Sequence, residues 1–196
     1  MNIEEQNRVI EQINDERDQA EDEATWGKPA SDIITRIESI ENAKPVRAIW
    51  EMVQNARDVS RKEGAAIEFS LNDNEFVFQH NGLPFTAETL HSLNIQTSSK
   101  VRDDIVQVGQ YGTGFLTTNK FGLKFRLSGS LELELDSGQK YLDFKELSFD
   151  RSPREKSSMI KNLKEQKRRI REMCTNRENI VLLKDTPGEL TTFCYL

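Results

Sequence analysis

The spacing of apolar residues changes near residue 65, and that change limits what this chain can fold into. Up to about residue 63 they recur every three or four positions, the repeat of a helix with one buried face. From Ala66 onward they mostly alternate, the repeat of a strand with one buried face. The first part reads as three helices. Residues 2–23 carry a sparse stripe of Ile3, Ile10, Ile13 and Ala20, and Trp26-Gly27-Lys28-Pro29-Ala30 is expected to break that helix. Ser31 or Asp32 caps a second helix bearing Ile33, Ile34, Ile37 and Ile40. Pro45 opens a third, over 45–63, with Val46, Ile49, Trp50, Val53, Ala56 and Val59 as its expected buried stripe.

Strands are expected at 66–71, 75–79, 123–127, 131–135, 141–144, 180–183 and 191–195. Ser128-Gly129-Ser130 and Ser137-Gly138 serve as turns between the middle three. Short helices are expected at 86–93 and 111–120, a polar loop at 94–110 and a basic helix at 153–175. This order predicts an α+β protein with helices on one face of a mixed, mostly antiparallel sheet. The alternation still runs at the last residues, so further chain is expected beyond residue 196.

Charge divides the chain more sharply than its net value of −6 suggests. Residues 1–24 hold nine acids against Arg8 and Arg17, whereas residues 151–177 hold ten bases against Glu155, Glu165 and Glu172. We therefore separate an acidic helix and linker over 1–30 from a domain over 31–196, with a basic helical insertion at 151–177. Cys174, Cys194, His80 and His91 are the only cysteines and histidines, too few for a disulfide framework or a closed zinc site. No apolar run approaches the ~20 residues of a membrane span. A cytoplasmic setting without membrane contact is expected.

Three segments carry candidate chemistry. On the third helix Glu51 and Asn55 are four apart and Asp58 three further on, so all three project beside the apolar set. Buried polar groups there need partners, and a magnesium ion with its waters and a ligand would supply them. The second segment is a strand running into His80-Asn81-Gly82, where glycine permits close backbone approach. The third, Gly109-Gln110-Tyr111-Gly112-Thr113-Gly114-Phe115, is a glycine-rich entry to a helix, which offers backbone N–H groups to an anion. Taken singly, each also reads as an ordinary amphipathic helix, a plain turn or a common loop. Their order and separation are what is specific.

Together they resemble the Bergerat-fold (GHKL) ATPases, the superfamily of DNA gyrase, heat-shock protein 90, histidine kinases and MutL. Glu51, Asn55 and Asp58 match the first motif, acid-x-x-x-Asn-x-x-Asp. His80-Asn81-Gly82 falls where Asp-x-Gly belongs. The segment 109–115 is similar to the glycine-rich lid motif of the heat-shock 90 chaperones. Thr191 opens an alternation similar to the last, threonine-bearing strand, although Leu190 replaces the usual preceding glycine. The resemblance implies a two-layer α/β sandwich that binds and slowly hydrolyses ATP to ADP with Mg²⁺. It also implies ATP-dependent homodimerisation as a conformational clamp within a larger protein.

By the same resemblance Glu51 is the general base, Asn55 the Mg²⁺ ligand, and Asp58 a hydrogen-bonding support. Gly82 lets the chain pass near adenine. Gly109, Gln110, Tyr111, Gly112, Thr113, Gly114 and Phe115 surround the phosphates. Ser98, Ser99 and Lys100 add hydroxyls and a cation, and Thr191 joins from the last strand. His80 replaces the acid that reads adenine, so either a neutral imidazole nitrogen or the Asn81 carbonyl is expected to do so. Pro84 replaces a second glycine common in that motif. Alternatives are a nucleotide-binding regulatory module without turnover and the ATPase head of a DNA-acting clamp. The basic helix has no interleaved aromatic residue for stacking on bases, so a solvated helix, or one paired with the acidic head, is preferred over a nucleic-acid surface.

Overall fold

The structure is a computed structural model that describes residues 3–72, 74–95 and 114–196. The first helix, α1, spans Ile3–Ile40 without the expected break at 26–30. Pro29 sits inside it. A mid-helix proline forfeits one backbone bond and costs about 3 kcal/mol. The helix persists because Trp26, Ala30, Ile33, Ile37 and Ile40 repeat at intervals of four and three and form a single buried face. Each buried isoleucine contributes roughly 1.5–3 kcal/mol, which outweighs the proline. Every described side chain from Ile3 to Glu21 is exposed.

Lys44 is extended, as a residue before proline must be, and Pro45 starts helix α2, Pro45–Asp58. It ends five residues before the expected limit. Its buried face also differs from expectation. Ala48, Met52, Asn55 and Ala56 point inward, with Val59 just beyond, whereas Trp50 is 67% and Val46 56% exposed. The inward turn of the helix is the one that carries Asn55.

Strands β1 (Ile67–Asn72) and β2 (Glu75–His80) form a hairpin. Helix α3 (Ala87–Ile95) and a 3-10 helix (Phe115–Lys120) follow. Then come β3 (Lys124–Leu135), β4 (Gly138–Asp150), α4 (Lys156–Thr175), a single-turn α5 (Arg177–Ile180) and β5 (Thr191–Tyr195). The sheet has order β1-β2-β5-β3-β4, and all four pairings are antiparallel rather than mixed. The last strand is thus inserted at its centre, between the two hairpins.

Two expectations fail around this sheet. Ser128-Gly129-Ser130 is not a turn. β3 runs through it with a bulge between Leu127 and Gly129, which keeps both flanking leucines buried. Residues 180–183 are not a strand either. Asn176 caps α5 by accepting from the Glu178 N–H at 3.0 Å, and only Lys184 bridges to Tyr141.

One apolar cluster joins Met52 and Ala56 of α2, Leu90 and Leu93 of α3, Phe115, and sheet residues that include Phe78, Phe125, Leu127, Phe149, Phe193 and Tyr195. A second joins the inward face of α1 to Met159, Ile160 and Leu163 of α4 and to Leu116. Arg151, fully buried above Phe149, donates to the Leu93 and Asn94 carbonyls at 3.0 and 2.8 Å and so ties down the end of α3. Burial lowers its pKa to about 10. The fold is α+β: helices packed with an open antiparallel sheet.

Candidate functional site

Helix α2 presents the polar residues. Asn55 is 6% exposed, and its Nδ2 donates to the Glu51 carbonyl one turn earlier at 2.7 Å. That bond fixes the amide rotamer and leaves Oδ1 without a hydrogen-bond partner among the described residues. An oriented amide oxygen is a suitable ligand for a hard cation that draws its other oxygens from phosphate and water. Glu51 is half-buried and its carboxylate lies against Gly114 so closely that a Cβ at 114 would collide with it. Asp58, also half-buried, has Arg57 at 3.8 Å.

The end of β2 lies beside the end of α2. His80 is 2% exposed, among Phe78 and Phe193 at ring separations of 5.4 and 6.2 Å. Its Nδ1 accepts the Gly82 N–H at 3.1 Å. A neutral imidazole has one donor and one acceptor nitrogen, so Nε2 carries the proton. Desolvation by burial lowers the pKa to about 4, which keeps the ring neutral near pH 7. The Nε2–H is therefore the ring's donor, and the acceptor nitrogen is used within the turn. Asn81 is committed as well, because its Oδ1 accepts the Ala66 N–H at 2.7 Å and pins the start of β1. Gly82 is sterically required, since a Cβ there would lie 2.5 Å from Val59 Cγ2 and 2.8 Å from His80 Nδ1.

Thr191, buried on β5, is the register partner of His80. Phe115 packs against Phe193 with ring centroids 5.2 Å apart. The fold thus brings α2, the β2 turn, the start of β5 and the residues from Gly114 into one neighbourhood. Ser98, Ser99, Lys100, Gly109, Gln110, Tyr111, Gly112 and Thr113 lie outside the described residues. Among the described residues no group of three or more His, Cys, Asp or Glu side chains could hold a metal ion. Asn55 would be a magnesium ligand only alongside oxygens from outside the chain.

Arg61 was not among the expected site residues. Its Nε donates to the Gly82 carbonyl at 3.3 Å and its Nη2 to the Gly188 carbonyl at 3.2 Å, which clamps the β2 turn to the approach of β5. Nothing in its local sequence signals this, because its partners lie 21 and 127 residues away. Among the described residues no helix is long and apolar enough to cross a membrane. No known protein-family model matches the chain, and no curated protein matches it.

Proposed function

We propose that this chain is an ATP-binding and ATP-hydrolysing domain of Bergerat type, a two-layer α/β sandwich that acts as a nucleotide-driven dimerisation clamp in the cytoplasm. The observation that carries this reading is on α2. A half-buried carboxylate and an oriented amide oxygen stand one turn apart, with the carboxylate against Gly114 at the end of the glycine-rich segment.

Asn55 Oδ1 would hold Mg²⁺, whose contribution is to screen the phosphate charge. Glu51 would accept the proton of the attacking water, a role that its contact with Gly114 supports. Gly82 would serve the turn itself, where Val59 and His80 pack against it. His80 would donate from Nε2 to a ring nitrogen of adenine, unlike a carboxylate, which accepts from the amino group.

Asn55→Ala tests the cation arm. It removes the oxygen and leaves Glu51 in place. Calorimetric titration with ATP should give an affinity at least about tenfold weaker in Mg²⁺, with a much smaller loss in EDTA. An equal loss in both would contradict the assigned ligand.

A further inference from the structure

A cavity of about 180 Å³ lies where the end of α1, the first turn of α2 and the start of the 3-10 helix meet. Arg36, Ser39, Arg47, Gly114 and Thr117 are among the residues lining it. The two arginines come from different helices, 11 residues apart in sequence. Neither guanidinium makes a side-chain hydrogen bond or ion pair among the described residues. The hydroxyls are already committed, Ser39 to the Arg36 carbonyl at 2.6 Å and Thr117 to the Gly114 carbonyl at 2.8 Å. Among the described side chains that line this cavity, the donors without a hydrogen-bond or ion-pair partner are the arginine forks.

Arg47 and Glu51 are four apart on α2, yet they form no ion pair. Glu51 lies against Gly114, and Gly114 lines the cavity. The first turn of α2 adds the positive end of its dipole. No carboxylate is among the described residues that line the cavity, whereas two guanidiniums are. Planar forks of N–H groups match tetrahedral oxyanions.

We infer that Arg36 and Arg47 form a binding site for a phosphate group beside Glu51. The phosphate is either free inorganic phosphate or the terminal phosphate of a nucleotide. Only the nucleotide source rests on the ATPase reading.

The full chain and its Arg36→Gln, Arg47→Gln and double variants would be titrated calorimetrically with inorganic phosphate, Mg-ADP and the Mg²⁺ complex of the β,γ-imido analogue of ATP. Both arginines are exposed, so the variants should fold, and thermal melts check this. For a terminal-phosphate site, each substitution weakens the triphosphate analogue about tenfold and leaves ADP unchanged. For a free-phosphate site, each weakens inorganic phosphate by a similar factor. Arginine-dependent binding of phosphate without nucleotide binding supports the site and overturns the ATPase reading. Undiminished binding of the analogue by the double variant, with no arginine-dependent phosphate binding, overturns the site and leaves the ATPase reading standing. No binding of any of the three by the wild-type chain overturns both.

Discussion

At the scale of single residues, His80 shows how a side chain of the expected type arrives with an unexpected role. Its acceptor nitrogen closes the turn onto Gly82, and burial holds the ring neutral. This has a consequence for stability. Well above pH 6.5 the ring is neutral in both folded and unfolded chains and contributes no pH dependence. As the pH falls from 6.5 toward 4, the unfolded chain binds a proton that the folded chain does not, so stability is lost. The slope approaches about 1.4 kcal/mol per pH unit. His91, whose pKa is lowered by burial and by Lys167, works in the same direction, so a comparison with a variant is needed. Urea unfolding at pH 7.5 and 5.0 should show a loss smaller by about 2 kcal/mol in His80→Asn than in wild type. Identical losses would mean that His80 titrates normally.

At the scale of elements, the apolar spacing was a better guide than the punctuating residues. Gly27 and Pro29 suggested a break, whereas the spacing through Trp26, Ala30, Ile33, Ile37 and Ile40 runs unbroken across them. Ser128-Gly129-Ser130 misled in the same way, because a bulge and a turn draw on the same small residues. In α2 the apolar residues are so many that sequence alone does not say which stripe faces inward. The structure turns Asn55 in and Trp50 out. The hairpin β1–β2, α3, α4 and the last strand were legible from periodicity. The central place of that last strand was not, because pairing across 113 residues leaves no local trace. The site was legible to the extent that spacing on one helix is local. Arg61, Arg36 and Arg47 act across elements and were not. Pro29→Ala discriminates between the two readings of α1. In a continuous helix it restores a backbone bond, and the unfolding free energy should rise by about 1–3 kcal/mol. In a turn, losing proline would lower it.

At the scale of the whole molecule, the acidic and basic segments meet where α1 crosses α4. Asp22 pairs with Lys164 at 2.7 Å, Glu23 pairs with Lys156, and Lys167 lies over Trp26 at 5.3 Å. The outer part of α1 projects past this crossing and buries no described side chain. Most helical stability in a protein comes from packing, and the described side chains of this stretch contribute none. Deleting residues 1–21 should therefore shift the melting temperature by less than about 2 °C while far-UV circular dichroism loses helical signal. A large drop would show that the projection supports the core. The body between these appendages gathers α2, the β2 turn, β5 and Gly114 only when the chain is folded, and the ATPase claim rests on that gathering. Phosphate release under saturating Mg-ATP, wild type against Glu51→Gln, tests it most directly. We predict slow release by wild type and release at least about 100-fold slower by the variant, with ATP affinity unchanged. Equal release by the two proteins, or none by wild type, would contradict it.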